Sequence, residues 1–502
     1  MGQTACSSCT PAPAAREEDA TAEQGVARAD VQVADGGFHV GFFIPGNRGK
    51  GLEEIYSVDR DAPIGQGGFS TVYRCENKDT KQVRAVKVVD PRLMKDPSRI
   101  EDEIGLMKRM DHPNIVRLVE TFAESKKVNL VLELCEGDTL FDAIIDTERF
   151  PERRAAFCMR QMLRTVHYLH ENNVMHRDLK AENWLFAKKA PAEKTSLKLC
   201  DFGCARRLGP GERASTRLGT PHYIAPEVIR GDYDHKADVW SLGVILYMFL
   251  GGAPPFVSIN TQELLKKIKK AQFRVLKEAS AEAQELVTAL LERNPETRAG
   301  AFDAGGRAWF AKTLKKSDEA AEKSSGGAPT ASDMMRFGRK THMEKASLAL
   351  IASQMSRDKI ADLEQLFLSM DENGDGTLSR QEFSNGLRRL GRNISENELQ
   401  EIIQAVDMDG SGAIDYSEFL AVMMDESRFS QEDVLWNAFK ACDLDGSGFI
   451  SYTELKKLLM SEVLQANAGQ AVLNVDTIFS DQDANGDGKI SFDEFMAMMN
   501  RK

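Results

Sequence analysis

Residues 371–382 read Asp371-Glu-Asn373-Gly-Asp375-Gly-Thr377-Leu-Ser-Arg-Gln-Glu382, and this pattern decides the fold of the carboxyl-terminal part of the chain. Carboxylate or amide oxygens occupy loop positions 1 and 3, an oxygen side chain occupies position 5, Gly occupies position 6 and Glu occupies position 12. Such a cage of oxygens suits a hard cation with flexible coordination, which in proteins is Ca²⁺. The stretch therefore predicts a helix–loop–helix calcium site.

The pattern recurs in loops that start at Asp407, Asp443 and Asp483, at steps of 36, 36 and 40 residues. Four copies in register predict an all-α calcium domain in two lobes over residues 358–502, with loops 371–382, 407–418, 443–454 and 483–494. The predicted ligands are Asp371, Asn373, Asp375, Thr377 and Glu382; Asp407, Asp409, Ser411, Ala413 and Glu418; Asp443, Asp445, Ser447, Phe449 and Glu454; and Asp483, Asn485, Asp487, Lys489 and Glu494. Position 7 contributes only its backbone carbonyl, and each set holds three carboxylates, so all four sites are expected to bind Ca²⁺.

Composition excludes several classes of protein. The chain has 502 residues, enough for roughly three domains. Its net charge of −12 makes nucleic acid an unsuitable partner. The eight cysteines show no metal-ligand or disulfide-scaffold spacing, which fits a reducing compartment. No apolar run reaches the roughly 18 residues of a membrane-spanning helix, so a cytoplasmic location is expected.

The amino terminus carries a different signal. Residues 1–55 are rich in Ala, Gly, Glu and Asp and are predicted to be disordered. Gly2 follows a removable Met and is a candidate for myristoylation, although Cys6 stands where the usual pattern has Ser or Thr. Cys6 and Cys9 are candidates for palmitoylation, and two acyl chains would hold a membrane stably where one would not.

A second set of motifs begins at residue 65. Gly65-Gln-Gly67-Gly-Phe-Ser-Thr-Val72 lies between two predicted strands, where small residues let backbone amides approach phosphates. Alone it could be a hairpin turn. The next strand holds Ala85-Val-Lys87, and its lysine can reach the α- and β-phosphates of ATP. Gly65, Gly67, Val72, Ala85 and Lys87 are therefore predicted to bind nucleotide.

The helix predicted after this strand should supply an acidic partner for Lys87. Glu103 is preferred because Glu103-Ile104 opens the apolar face that leads to Met107. Its neighbours Glu101 and Asp102 have spacing that also allows the pairing.

The remaining motifs follow in order. His176-Arg-Asp178-Leu-Lys180-Ala-Glu-Asn183 matches a catalytic loop in which Asp178 accepts the substrate hydroxyl proton, Lys180 contacts the transferred phosphate and Asn183 binds Mg²⁺. Asp201-Phe-Gly supplies a second metal carboxylate, and Ala225-Pro-Glu227 closes the activation segment. Together these elements predict a protein kinase domain at 56–310.

A polar Gly/Ser/Ala tract at 311–330 is predicted to be a linker, and 334–355 to be a basic amphipathic helix. Phe337, Leu348, Ile351 and Met355 could share its apolar side. Methionines at 423, 424, 496, 498 and 499 suit an adaptable groove in the calcium domain, although about half of them are expected to be ordinary core.

With these motifs the chain resembles the calcium-dependent protein kinases of plants and protists, over roughly residues 56–502. The resemblance implies a multidomain α+β protein: a two-lobed kinase fold, with a β-rich amino-terminal and a helical carboxyl-terminal lobe, followed by a calmodulin-like domain of four EF-hands. It places the adenine hinge at Glu133-Leu134-Cys135, behind which lies Leu132. It also implies that Asp238 braces the catalytic loop and that Glu227 pairs with Arg298. Residues 311–357 would be a linker and autoinhibitory junction.

The expected function is calcium-activated transfer of the ATP γ-phosphate to Ser or Thr of protein substrates, by a monomer. Without calcium the 334–355 helix would block the substrate cleft or misalign the lobes, and with calcium the EF-hands would bind it and withdraw it. Thr216 stands where related kinases are phosphorylated, and Arg177 could pair with a phosphate there. The alternative is a calcium-responsive scaffold with a catalytically dead kinase domain; a calcium buffer is a third reading. Lys87, Asp178, Asn183 and Asp201 are all present, which argues against the scaffold.

Overall fold

The computed structural model describes most of the chain from residue 51 onward. The described ranges are 51–94, 96–191, 195–314, 331–338, 340, 342–355, 357–392, 394–408, 410–424, 432–443, 447–459 and 475–499. Within these ranges no helix combines the length and apolar character that crossing a bilayer requires. The lipidation candidates Gly2, Cys6 and Cys9 lie outside the described residues.

The amino-terminal lobe is one antiparallel sheet with a helix beside it. The sheet has the strand order β1-β2-β3-β5-β4. Its strands are β1 (Tyr56–Gln66), β2 (Ser70–Asn77), β3 (Val83–Val89), β4 (Leu118–Ala123) and β5 (Val128–Leu132), and its helices are α1 (Leu52–Ile55) and α2 (Arg99–Arg109). The β-branched sequence of β3 is mostly buried, as expected for the central strand of a packed sheet. β3 and α2 thus present their side chains to one cleft.

The carboxyl-terminal lobe is helical and packs around α6, whose central residues are buried on every side. Its helices are α3 (Leu140–Thr147), α4 (Glu152–Glu171), α5 (Pro226–Arg230), α6 (Lys236–Gly251), α7 (Thr261–Lys270), α8 (Ala281–Leu290), α9 (Ala301–Gly305) and α10 (Ala308–Thr313). Four short strands carry the loops of the cleft: β6 (Val174–Met175) pairs with β9 (Arg206–Arg207), and β7 (Trp184–Phe186) pairs with β8 (Leu197–Leu199). These two strand pairs bring the catalytic-loop and Asp-Phe-Gly motifs together.

The calcium domain consists of helix–loop–helix units joined in pairs. Its helices are α13 (Arg357–Met370), α14 (Arg380–Arg389), α15 (Glu396–Val406), α16 (Tyr416–Met423), α17 (Glu432–Cys442), α18 (Tyr452–Leu459), α19 (Val475–Gln482) and α20 (Phe492–Met499). β10 (Thr377–Ser379) pairs with β11 (Ala413–Asp415), and β12 (Ile450–Ser451) pairs with β13 (Lys489–Ile490). The first loop therefore pairs with the second and the third with the fourth, which gives the two lobes.

The junction differs from the single amphipathic helix expected at 334–355. Helix α11 (Ala331–Gly338) ends at a glycine, and α12 (His342–Gln354) begins four residues later. Residues 348–352 of α12 are all buried, so this helix is covered around its circumference. The reason is tertiary: α12 packs against α16 and α17, which belong to different lobes of the calcium domain. Phe337, Leu348, Ile351 and Met355 are buried in the same hydrophobic cluster as those lobes.

Two predicted boundaries also shift. The amino-terminal lobe includes residues before 56, because α1 buries Leu52 completely. The carboxyl-terminal lobe extends beyond residue 311, because α10 runs to Thr313 and Leu314 is buried in its core. Both departures are single turns that local composition does not reveal.

The calcium domain and α12 contact the kinase domain on the side that carries Arg117 and Ser196, which we call the interdomain contact. The Arg117 guanidinium donates to the carbonyls of Ala352 and Met355 at 3.3 and 3.4 Å. Ser196 Oγ donates to the buried Glu364 carboxylate of α13. The interdomain contact therefore fixes the carboxyl end of α12 and the start of the first EF-hand on the kinase domain.

Candidate active site and calcium loops

Lys87 on β3 lies between two carboxylates in the cleft. Its Nζ is 2.6 Å from Glu103 Oε1 and 2.9 Å from Asp201 Oδ1. Although burial opposes the charge, Asp201 and Glu103 raise the pKa of Lys87 above its usual value. Lys87 in turn lowers the pKa of Asp201 to about 2. The structure places Glu103, and not the exposed Glu101 or Asp102, against Lys87.

The glycine-rich stretch forms the turn between β1 and β2. Gly67 N donates to Ser70 O at 2.8 Å and closes the turn. A Cβ at Gly67 would lie 3.1 Å from Ser70 Oγ, whereas Gly68 has open space around it. Val72 is half-buried on β2 and Ala85 is buried on β3, so both lie beside this turn. Backbone amides are thus exposed at one end of the cleft, where phosphates can be bound.

The predicted hinge follows β5. Glu133 N donates to Arg117 O at 2.9 Å, and the buried Glu133 carboxylate lies 3.0 Å from Lys198 Nζ. Cys135, two residues on, is half-buried, and Leu132 before the hinge is buried. The side chain of Glu133 therefore turns toward the interdomain contact.

The catalytic loop holds Asp178 between two partners. Lys180 Nζ lies 2.9 Å from Asp178 Oδ2. Thr220 contributes both its backbone N and its Oγ1 to Asp178 Oδ1, at 2.9 and 2.8 Å. Thr220 is a residue that sequence reasoning missed. The only sequence signal is its place in the activation segment, where Gly219 with φ +107° brings the chain within reach of Asp178.

Asn183 and Asp201 flank the catalytic aspartate. Asn183 Nδ2 donates to Asp178 O at 3.0 Å, which leaves the amide oxygen as an acceptor, and 47% of the Asp201 side chain is exposed to the cleft. A carboxylate and an amide oxygen form the donor set that Mg²⁺ uses. These two residues therefore fit the predicted metal position.

Asp238 supports the catalytic loop from below. The side chain of Asp238 is 2% exposed, and its carboxylate accepts from His176 N and Arg177 N at 2.9 Å each. Arg177 has φ +67°, a left-handed conformation that costs energy in a residue with a Cβ. The two hydrogen bonds to Asp238 hold that strained backbone in place.

The activation segment is anchored at its far end by a buried ion pair. Arg298 contacts the Glu227 carboxylate at 2.5 and 3.1 Å, and the two side chains are 0% and 1% exposed. Thr216, nearer the catalytic loop, is exposed, and its carbonyl accepts from Tyr233 Oη at 2.6 Å. Burial raises the pKa of Tyr233, and the charge of nearby Arg177 opposes that rise.

The calcium loops share one backbone geometry. In each loop the amide of the position-6 glycine donates to the position-1 aspartate, at 3.2, 2.9, 2.8 and 2.8 Å in loops one to four. These glycines have φ between +81° and +87°, the region in which a Cβ is strained. Predicted ligands Asp409 and Asp445 lie outside the described residues. The other predicted ligands lie within the described residues.

In the first loop, the carboxylate at position 1 is the most deeply buried of the position-1 aspartates for which burial is given. Asp371 is completely buried, and burial raises its pKa to about 7. The positive charge of Arg164 opposes this rise, and the negative charge of Asp375 adds to it. Burial and a neighbouring carboxylate disfavour the charged form of Asp371, so a bound cation would stabilise that form. Within the described ranges no three acidic, histidine or cysteine side chains converge closely enough to hold a metal ion. The position-12 glutamates are instead bound to backbone amides, as Glu418 is to Met408 N at 2.7 Å.

A capping box that sequence reasoning missed links loop positions 9 and 12. The amides of Ser379, Asp415, Ser451 and Ser491 donate to the Glu at position 12 at 3.0, 2.9, 2.8 and 2.8 Å. The Ser/Asp-x-x-Glu spacing at the start of a helix was the available signal. The glutamate at position 12 therefore caps the start of the exiting helix.

The methionines of the exiting helices contribute to the core around the junction. Met423, Met424, Met498 and Met499 are buried in one cluster with Leu348 and Ile351, and Met496 is half-buried against it. The adaptable groove expected from sequence is thus occupied by α12.

Comparison with known proteins agrees with this geometry. The protein kinase domain family matches residues 58–310, and the EF-hand domain pair matches residues 360–424 and 432–500. The fold and the site define a protein kinase domain joined to paired EF-hands in one chain.

Several named proteins are similar to this chain. "Calcium-dependent protein kinase 3" of Oryza sativa subsp. japonica is 35% identical over 457 residues, which is 89% of this chain and 81% of that protein. "Calcium-dependent protein kinase 3" of Plasmodium berghei (strain Anka) is 34% identical over 357 residues, 69% of this chain and 62% of that protein. "Calcium-dependent protein kinase 7" of Arabidopsis thaliana is 35% identical over 353 residues, 69% of this chain and 64% of that protein.

The chain belongs to the calcium-dependent protein kinase family. It spans less than two thirds of the length of the Plasmodium relatives that it matches.

Proposed function

We propose that this chain is a calcium-activated serine/threonine protein kinase that transfers the γ-phosphate of ATP to hydroxyl groups of protein substrates. The observation that carries the proposal is the position of Asp178, held by Lys180 and Thr220 in the cleft where the Lys87–Glu103 ion pair is formed. A catalytically dead scaffold has no need of this arrangement.

The side chains divide the work of the reaction. Asp178 orients the substrate hydroxyl and accepts its proton, and Lys180 lies 2.9 Å away, where it can contact the transferred phosphate. Lys87, fixed by Glu103, neutralises the α- and β-phosphates, while the amides of the Gly65–Ser70 turn cover them. Positioning and charge neutralisation supply most of the catalysis in phosphoryl transfer.

Asn183 and Asp201 are the residues that would hold Mg²⁺. The bound metal would neutralise charge on the phosphate oxygens as it develops. Asp201 has φ +64°, and its contact with Lys87 at 2.9 Å keeps the carboxylate in the cleft despite that strained backbone.

Calcium control is proposed to act through the junction in two states. Without calcium, α12 would leave the calcium domain and block the substrate cleft or misalign the lobes of the kinase domain. With calcium, the EF-hands would enclose α12 and hold it on the interdomain contact. Burial of α12 between α16 and α17 supports the second state. A ligand shifts such an equilibrium only by binding the two states with different affinity, and four EF-hand sites, one per loop, would supply that difference.

Removal of the junction and calcium domain tests this mechanism. A chain that ends near residue 325 is expected to phosphorylate a peptide at the same rate in Ca²⁺ and in chelator, because the inhibitory segment is gone. The full chain should be at least about tenfold slower in chelator, the ratio of a 1.4 kcal/mol bias. Initial rates of phosphate incorporation measure both.

An inactive truncated protein that is folded by circular dichroism would contradict the blocking mechanism. It would mean that the calcium domain supports the kinase domain directly through the interdomain contact.

Phosphorylation of Thr216 is proposed to raise activity. Thr216 is exposed, and Tyr233 links its carbonyl to the neighbourhood of Arg177, so a phosphate there has a cation within reach. We expect Thr216→Ala to lower activity roughly five- to thirtyfold, the factor that about 1–2 kcal/mol of loop ordering represents. Ser215→Ala, at the adjacent exposed hydroxyl, is the matched control and should retain activity. Equal activity and equal calcium response in both variants would remove Thr216 from the mechanism.

Protein substrates bearing Ser or Thr and the intramolecular junction are the proposed partners, and the chain is proposed to act as a monomer. Acylation at Gly2, Cys6 or Cys9 is proposed to attach it to a membrane from the cytoplasmic side, since two acyl chains bind a bilayer stably.

A further inference from the structure

The glycines of the first calcium loop lie directly on the kinase domain, and those of the other described loops do not. A Cβ built on Gly374 would lie 2.7 Å from Arg164 Cγ. One built on Gly376 would lie 2.5 Å from Tyr168 Cδ2 and 2.8 Å from His112 Cδ2. The glycines of the first loop are therefore in van der Waals contact with side chains of α4 and of the segment before β4.

The remaining loops provide an internal comparison. Gly410, Gly412, Gly448, Gly486 and Gly488 occupy loop positions 4 or 6, and a Cβ at any of them would meet nothing within 4 Å. Gly374 and Gly486 hold the same loop position with φ +74° and +72°. At loop position 4 the first and fourth loops thus have similar backbone conformations, and the surroundings of the glycine differ.

Hydrogen bonds hold the first EF-hand in this position. Arg164 Nη1 donates to Leu368 O at 2.9 Å, three residues before the first calcium ligand, Asp371. On the paired unit, Ser417 N donates to Asp111 Oδ2 at 2.8 Å. The backbone N of Asp111 in turn donates to Tyr168 Oη at 2.9 Å. The kinase-domain residues that contact the first loop are therefore hydrogen-bonded to those that bind its neighbouring helices.

We infer that the first loop, 371–382, is a docking surface for α4 and that this contact couples the calcium affinity of the first site to attachment of the calcium domain. The inference rests on the proposed function in that the loops bind calcium. In the docked position the loop is ordered by its own hydrogen bonds, because Asp371 accepts from Gly374 N and Gly376 N at 2.7 and 3.2 Å. Calcium bound at the first site strengthens docking, and docking raises the affinity of that site by the same factor, since such coupling is reciprocal.

The test uses the full chain and compares Gly374→Ala with Gly486→Ala. Both substitutions add a methyl group at loop position 4 with the same backbone strain, but only the first meets Arg164. Hydrogen exchange of the α4 segment around Arg164 and Tyr168, followed against calcium concentration, reports docking. The calcium concentration for half-maximal protection should rise about tenfold with Gly374→Ala, as overpacking of a close contact implies. It should change by less than about twofold with Gly486→Ala.

Arg164→Ala completes the cycle and leaves the EF-hand sequence intact. It should weaken calcium binding to one site of the full chain in calorimetry, roughly threefold or more, and it should abolish most of the extra effect of Gly374→Ala. A calcium isotherm unchanged by Arg164→Ala, or equal shifts for the two glycine variants, would overturn the inference even if Gly374→Ala failed to fold. Wild-type phosphorylation is assayed in parallel. If calcium stimulates phosphorylation by the wild type but the variants bind calcium as the wild type does, only the docking role is refuted. If calcium does not stimulate the wild type, the proposed function is refuted.

Discussion

Asp178→Asn should reduce the rate of peptide phosphorylation by about 10²–10⁴-fold, both in saturating calcium and in chelator, because a positioned general base contributes that factor. The asparagine oxygen can still accept the two hydrogen bonds that Thr220 donates at 2.8 and 2.9 Å. Only the proton-accepting carboxylate and its contact with Lys180 are lost, so the fold should be retained. Radiolabel incorporation into a peptide, with circular dichroism as a fold check, gives the result.

Asp146→Asn is the matched control, since Asp146 is exposed on α3 and is not one of the predicted cleft residues. It should leave the rate within about twofold of wild type, as surface substitutions usually do. If Asp178→Asn and wild type label the peptide equally well, the observed activity does not come from this site. If the wild type shows no activity with calcium and a peptide that bears Ser or Thr, the result supports the catalytically dead scaffold.

Arg298→Ala should lower the free energy of unfolding of the kinase domain by about 3–5 kcal/mol, because it leaves the Glu227 carboxylate buried without its cation. Both side chains of this pair are at most 1% exposed. Arg298 also donates to the carbonyls of Glu292 and Lys236 at 2.8 Å each, so its loss leaves further polar groups unpaired. Urea denaturation followed by tryptophan fluorescence is suited to the measurement, because buried Trp240 lies under the guanidinium at 5.1 Å.

Arg213→Ala tests whether burial is the cause. Arg213 also makes two carboxylate contacts, with Asp232 and Asp234 at 2.5 and 3.2 Å, but its side chain is 38% exposed. Exposed ion pairs contribute about 0–1 kcal/mol, so the loss here should stay below about 1 kcal/mol. Similar losses in the two variants would show that the Glu227–Arg298 pair is no more important than a surface contact.

The sequence was sufficient where the chemistry is local. Motif order predicted the kinase and calcium domains, and the preference for Glu103 over Glu101 came from the apolar face of α2; Glu103 is the residue beside Lys87. The pairing of Glu227 with Arg298 and the bracing by Asp238 came from family resemblance, and these contacts are present in the structure. The roles assigned to these residues in catalysis remain predictions until activity is measured.

The sequence was insufficient where contacts connect distant parts of the chain. Thr220 reaches Asp178 across 42 residues, and Ser196 reaches Glu364 across 168, and neither contact leaves a local periodicity. The junction was wrongly predicted as one amphipathic helix, because burial on every side of α12 comes from two lobes that form only in the folded domain. The capping boxes, in contrast, were readable from the Ser/Asp-x-x-Glu spacing.

The interdomain contact has an evolutionary consequence. Arg117 binds carbonyls 235 and 238 residues further along the chain, and its own carbonyl accepts from Glu133 N at the predicted hinge. A substitution on either side therefore removes a partner from the other domain as well as from its own. Selection must act on both halves together, so in an alignment of relatives the positions of Arg117, Ser196 and Glu364 should vary in concert, while the catalytic loop is conserved independently of them.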